Sequence, residues 1–335
     1  MHVVVTGAAG LLGRRLIAAL LQRGVLTTGS GTVAAIETIR AFDVTQAYDF
    51  DDPRVIPVTG DIGDPAQIAD IVDGKTTSVF HLAAVLSGQA EQEFDLGMRV
   101  NVDAARLLME RIRAACPGAR LVTTSSIAVF GGDLPATVPD SQVWEPQSSY
   151  GTQKAINDLL LSDYSRRGYL DGRSLRMPTI VVRPGKPNRA ASSFASGIIR
   201  EPLAGVDAVC PVSPATLLWL MSPDQAIRNI LHGHELPAAS LGNRRVINMP
   251  GLSVTVSAML DALREVGGSA VADRVHLQPD LAIQRIVNSW PGSFSAAFAR
   301  SLGFTADPDF RSIVEAHVAE MQNQAASAHA APGNT

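Results

Sequence analysis

Val3-Val4-Val5-Thr6-Gly7-Ala8-Ala9-Gly10-Leu11-Leu12-Gly13 is the stretch that sets the fold class. A short continuous apolar run reads as a parallel strand buried on both faces. It runs straight into glycines spaced G-x-x-G-x-x-G, and Arg14 to Arg23 then reads as helix. Strand, glycine turn and helix form the phosphate-binding start of a dinucleotide fold. In this reading Gly7 permits the tight turn and Gly10 lets the backbone approach a pyrophosphate. Gly13 lets helix and strand pack closely, while Leu11 and Leu12 begin the helix whose N-terminus faces the anion. Three glycines can also make a plain strand-to-helix turn. Their place directly after the first strand favours the nucleotide site.

Outward from that stretch, strands and helices alternate. After a Gly- and Thr-rich connection from Gly24 to Thr32, a second strand is expected from Ile36 to Asp43. Asp43 would accept hydrogen bonds from the adenosine ribose hydroxyls. The gap from the glycine turn is longer than the ordinary spacing of about 20 residues, which leaves Asp49, Asp51 and Asp52 as rivals. No Arg or Lys immediately follows Asp43 to hold a 2′-phosphate, so NAD is favoured over NADP. A third strand, Val55 to Val58, precedes Asp61-Ile62. Asp61 either bonds the adenine amino group or serves as a helix cap, in competition with Asp64-Pro65. The fourth strand, Thr77 to Leu82, leads into Ala83-Ala84, small enough for close approach of the cofactor. His81 within it reads as a packed core histidine. Phe94 to Ala115 reads as one long helix. Its Asn101 either links backbone groups near the cofactor or satisfies local contacts.

A fifth strand from Arg120 to Ser125 leads into Ser126, and a sixth from Ser174 to Val182 is interrupted at Pro178-Thr179. This alternation implies a Rossmann-type, doubly wound parallel sheet, with ligands bound beyond the carboxyl ends of its strands. Gly7, Asp43, Asp61, Ala83, Ser126 and Pro178 all fall at or near the ends of separate strands. One sheet therefore gathers them at one edge.

Tyr150 and Lys154 fall in Ser148-Ser149-Tyr150-Gly151-Thr152-Gln153-Lys154, a helix opened by Pro146 and capped by Ser148 or Ser149. At i and i+4 both side chains share one helix face. A nearby ammonium favours phenolate, so the tyrosine can work as a base. Oxidation of a secondary alcohol removes a proton and a hydride, which a tyrosine and a nicotinamide would take in turn.

The 335 residues suffice for one large or two ordinary domains. A net charge of −4 argues against a general nucleic-acid binder, and no apolar run reaches membrane-spanning length. Cys116 and Cys210 stand alone, which argues against a disulfide framework or metal site. With no signal peptide visible at the start, a cytoplasmic enzyme is expected.

Gly7-x-x-Gly10-x-x-Gly13, Ser126 and Tyr150-x-x-x-Lys154 together resemble the extended short-chain dehydrogenase/reductase family. The resemblance implies Tyr150 as acid/base and Lys154 as the group that lowers its pKa and binds the nicotinamide ribose. It implies Ser126 as donor to the reacting oxygen, with Ser125 beside it as the second choice, and a homodimer through the helices at 94–115 and 150–166. Phe130 departs from the tyrosine of many relatives.

Substrate choice is expected to lie in the second half. Arg183, Lys186 and Arg189, among Asn188, Ser192 and Ser193, follow the sixth strand and suit a carboxylate with hydroxyls. The other reading is a solvated basic turn. Ser87 and Gln89 would face them from the fourth-strand loop, and Trp219 either lines the cavity or is plain core. The segments 81–91, 183–197, 250–256 and 289–294 resemble family members that oxidise the C2 hydroxyl of a small sugar acid. The rivals are a sugar-nucleotide epimerase or dehydratase and a non-catalytic NAD-binding regulator. Residues 1–180 are expected to form the NAD domain, completed by a segment near 220–250. Residues 181–320 would form a smaller, interleaved α/β substrate part and 322–335 a frayed tail. Ser253 or Thr255 is expected to cap a helix, and His232 and His234 to lie at the surface.

Overall fold

The computed structural model describes residues 1–46, 50–185 and 192–330. Seven strands form the main sheet: β1 (His2–Thr6), β2 (Thr38–Asp43), β3 (Val55–Thr59), β4 (Thr76–His81), β5 (Arg120–Ser126), β6 (Asp171–Met177) and β7 (Val246–Asn248). Their order is β7-β6-β5-β4-β1-β2-β3, parallel throughout. The chain leaves β1 towards β3 and returns to β4 on the other side. The crevice between β1 and β4 is therefore the topological switch point, where ligands of such sheets bind.

The apolar run in β1 serves both faces because strand side chains alternate. Val3 and Val5 pack with Leu16, Ile17 and Leu20 of α1 (Leu11–Arg23). Val4 packs on the opposite face with Ile68 of α2 (Pro65–Ile71), and with Leu108 and Ile112 of the helix Ala104–Ala115. Both layers are thus written into three consecutive valines. The helix α3 (Ser87–Gln92) follows β4, and α4 is Ala104–Ala115. The long helix expected from Phe94 is helical throughout, but it opens into a π-turn at Met98–Asp103. α5 (Ser149–Arg166) is the Tyr150 helix, capped by Ser148, whose Oγ accepts from the Gly151 N–H.

Pro178 divides the expected sixth strand. β6 stops at Met177, and Thr179–Ile180 pairs with Leu217–Met221 in a separate three-stranded sheet completed by Leu252–Thr255. Proline has no N–H for the ladder, so the chain changes sheet there. A second core gathers around that sheet, built by Ile198 and Ile199 of α6 (Ser193–Leu203), Met259 and Leu263 of a helix at Val256–Gly267, and Ile313 and Val314 of the last helix. Between Leu217–Met221 and Leu252–Thr255 the chain returns to the main sheet through α7 (Pro223–Glu235) and β7.

Two helix boundaries can be set against the sequence, and one expectation needs correction. Ser253 lies in a strand, and Thr255 alone caps the following helix, accepting from Ala258 N–H. His234 is fully buried, stacked on Phe80 and bonded to Ser78 Oγ at 2.8 Å. It belongs to the apolar face of α7, which the flanking Gly233 lets approach Leu175. The last helix, Phe310–Ala330, extends past residue 322, where the tail is expected to begin, and residues 331–335 lie outside the described residues.

Candidate active site

Gly7 has φ +72°, a backbone state that an L side chain rarely adopts. A Cβ there would lie 2.7 Å from Ala83 N, and one on Gly13 would lie 2.1 Å from Gly7 O. Turn, β4 loop and α1 are therefore packed backbone to backbone. Gly10 caps α1 with no side-chain partner, leaving the helix N-terminus bare. Such an end, with glycines in place of side chains, suits a phosphate. Leu11 and Leu12 open the helix and are half-buried.

Asp43 ends β2, and its carboxylate accepts from Ala9 N–H at 3.0 Å and Thr45 N–H at 3.1 Å. It is thereby held at the glycine turn. Of its rivals, Asp52 is tied to Arg54, and Asp49 lies outside the described residues. Asp61 accepts from Gly63 N–H and from Arg99 at 2.6 Å, and these bonds lower its pKa in that order. Asp64, not Asp61, caps α2. Ile62 is buried beside Phe42.

Leu82 N–H and Ala83 N–H bond Thr6, which ties the β4 loop to the end of β1. Ala84 continues that loop, half-buried. Asn101, in the π-turn, accepts from Val85 N–H at 2.8 Å and donates to Val85 O at 3.0 Å. Its second amide proton goes to Gln153 Oε1 of α5. One buried side chain thus joins the loop after β4 to the Tyr150 helix. π-turns recur at functional sites.

Ser126 and Ser125 are separated by their partners. Ser125 Oγ donates to the buried carboxylate of Asp158, whereas Ser126 Oγ accepts from Ala128 N–H at 3.1 Å and keeps its own proton. The Tyr150 hydroxyl has no hydrogen-bond partner among the described residues. Lys154 Nζ donates to Thr124 O at 2.8 Å and lies 5.5 Å from the centre of the Tyr150 ring. Burial pushes Tyr150 up to about 12 and Lys154 down to about 8. Burial, then the charge of Lys154, presses His81 down to about 3. His81 is a neutral core group bonded to Thr6 Oγ1.

Pro178 is buried and Thr179 half-buried beyond the end of β6. Ser87 opens α3 on one side, and Ser193 opens α6 on the other. Glu91 of α3 accepts from Ser149 N–H, which fixes the first of these against the start of α5. The half-buried Arg183 guanidinium donates to Ser192 Oγ at 3.3 Å. Burial, with Arg200 next, lowers its pKa. No carboxylate among the described residues forms an ion pair with it. Lys186, Asn188 and Arg189 lie outside the described residues. Trp219 is 4% exposed, packed with Ile127, Phe130 and Phe294, and its N–H meets Met249 O at 3.4 Å. Its visible role is core packing.

Sequence reading missed Asp158, buried and bonded by Ser125, Ser174 and Arg176. Its signal was present, since it stands four residues after Lys154. It also missed Gln153 and Glu91, whose partners are distant in sequence. Among the described residues no group of three or more His, Cys, Asp or Glu could hold a metal, and no helix is long and apolar enough to cross a membrane.

A family model for NAD dependent epimerases and dehydratases matches residues 3–219. The chain belongs to that family. The D-erythronate dehydrogenase of Cupriavidus necator is 55% identical over 318 residues, covering 95% of this chain and 98% of that protein. The D-erythronate dehydrogenase of Haemophilus influenzae is 43% identical, covering 94% and 98%. The crystal structure of the nucleoside-diphosphate-sugar epimerase from Agrobacterium tumefaciens superposes with a TM-score of 0.91 at 42% identity, covering 96% of this chain and 95% of that one. Within the family this chain is an oxidoreductase.

Proposed function

We propose that this protein oxidises the C2 hydroxyl of D-erythronate to 2-dehydro-D-erythronate with NAD. The observation that carries the reading is near-full-length similarity, at 55% and 43% identity, to two D-erythronate dehydrogenases. The glycine cradle fits a dinucleotide, because Gly7 and Gly13 leave no room for a Cβ and the end of α1 is uncapped. Gly7, Gly10 and Gly13 would hold the pyrophosphate, Asp43 the adenosine ribose, and Asn101 would fix the loop between them. When bound, the nicotinamide supplies the hydride acceptor.

The chain's own part is to move the proton. Ser126 donates to the substrate oxygen and Tyr150 takes the hydroxyl proton. Burial alone opposes the phenolate, and the ammonium of Lys154 works the other way. Arg183, half-buried beside the Ser192 hydroxyl and with no described carboxylate partner, would pair the substrate carboxylate. Ser87 and Ser193 would meet its remaining hydroxyls.

The deciding assay follows NADH absorbance with NAD and D-erythronate, with L-threonate and other small sugar acids alongside. NADH formation restricted to D-erythronate is expected. With NADP the rate constant kcat/KM should fall by about 100-fold or more, because Asp43 would face a 2′-phosphate and like charges in contact cost several kcal/mol. Equal turnover with NADP would sink the assignment of Asp43. The epimerase reading is favoured by the Agrobacterium tumefaciens structure. Cofactor that copurifies, with no net NADH from any acid, would establish it.

A homodimer through α4 and α5 fits the side chains that protrude there. Leu159 on α5 is 60% exposed, and Phe94 before the π-turn is 56% exposed. Light scattering should give twice the 35.3 kDa chain mass, and Leu159→Glu should shift it towards monomer. A monomer at micromolar concentration would remove the proposal.

A further inference from the structure

Tyr150, Lys154 and Asp158 follow one another at intervals of four on α5, so they form one stripe rising about 6 Å per step. Asp158 is fully buried, and its carboxylate is saturated. Ser125 Oγ and Arg176 Nε donate to one oxygen at 3.1 and 2.8 Å, and Ser174 Oγ to the other. Arg176 is itself fixed, lying 3.8 Å from the ring centre of Trp144 and 5.1 Å from that of Phe130. Lys154 forms no ion pair with any described carboxylate. Both side chains line one small cavity, together with His81, Ser125, Asn157 and Ser174.

We propose that Asp158 is a positioning residue that acts through Lys154, a fixed buried negative charge keeping the ammonium charged beside Tyr150. The two share the cavity without forming an ion pair, and in buried surroundings a charge is felt more strongly than in water. Other groups around Lys154 cannot take this part. Tyr150 is neutral until it works, His81 from β4 stays neutral, and Thr124 and Ser125 from β5 offer only dipoles. Arg176 from β6 carries the wrong sign. Burial pulls Lys154 down to about 8, and Asp158 is the charge that opposes the fall. Without that charge the lysine would lose its proton nearer neutral pH, and Tyr150 would lose its electrostatic help. The inference rests on the acid/base reading of Tyr150.

The chain has only three lysines, Lys75, Lys154 and Lys186. Lysine-selective 15N labelling therefore gives three side-chain signals in NMR, and Lys154→Met assigns the one of interest. Titration is done on the full chain without substrate. Asp158→Asn is expected to lower the Lys154 midpoint by about one pH unit or more. Arg176→Gln is expected to raise it, since Asp158 is then less neutralised. If Asp158→Asn does not fold, the Arg176→Gln direction tests the proposal alone. A midpoint that stays put in a folded variant, or moves the other way, overturns it and leaves Asp158 as a clamp for β5 and β6. Because this readout needs no turnover, it fails separately from the Tyr150 reading, which an active Tyr150→Phe enzyme would sink.

Discussion

Tyr150→Phe is expected to lower kcat by about 10²–10⁴-fold, the ordinary contribution of a positioned acid or base. KM for the sugar acid and the affinity for NAD should change little, because the ring remains and only the proton acceptor is lost. No described neighbour can substitute. His81, an imidazole beside Lys154, is buried, held by Thr6 and pressed down to about 3. Ser126 keeps an O–H, yet a serine hydroxyl is far too weak a base at neutral pH. Steady-state NADH formation with D-erythronate measures the effect. A variant within tenfold of the parent rate would assign the proton to another group. Lys154→Met should also depress kcat and displace its pH dependence to higher pH, because tyrosinate then forms without a neighbouring positive charge.

Much of this site was legible because parallel sheets collect strand ends. Gly7 after β1, Asp43 at the end of β2, Ala83 after β4 and Ser126 at the end of β5 needed only strand assignments. The Tyr150 and Lys154 pair needed only helix periodicity. The preference for Ser126 over Ser125 came from the resemblance alone, since the hydroxyl that Asp158 captures from a different element was not legible. Trp219 was ambiguous for a similar reason: an apolar strand residue looks the same whether it faces a pocket or Phe294. His234 misled because a histidine beside a glycine near a helix end resembles surface. Its burial follows from a partner, Ser78, that lies 156 positions away. The π-turn at Asn101 also escaped, because Phe94 to Ala115 has good helical composition and the bulge answers to Val85 and Gln153 in other segments.

Gly13→Ala and Gly10→Ala should part company, and the comparison tests the cradle most sharply. The added Cβ of Gly13→Ala would lie 2.1 Å from Gly7 O and 2.8 Å from Ala8 Cα. Both are backbone atoms, and Gly7 has little room to retreat, since even a Cβ built on it would lie 2.7 Å from Ala83 N. Overpacking of this kind costs about 1–3 kcal/mol or more, so the apparent melting temperature should fall. The turn must also move, and NAD binding should weaken by about tenfold or more, equivalent to 1.4 kcal/mol. Gly10 is different. Its φ of −70° suits any residue, and its Cβ would meet only Gly7 O at 3.2 Å. Gly10→Ala should therefore fold nearly as well as the parent, while its methyl group stands where a pyrophosphate must approach. Thermal unfolding with and without NAD separates the two effects. The expected pattern is a low melting temperature with little NAD stabilisation for Gly13→Ala, and a near-parental melting temperature with reduced NAD stabilisation for Gly10→Ala. If Gly10→Ala gains as much from NAD as the parent, the glycines shape a strand-to-helix turn and the dinucleotide lies elsewhere.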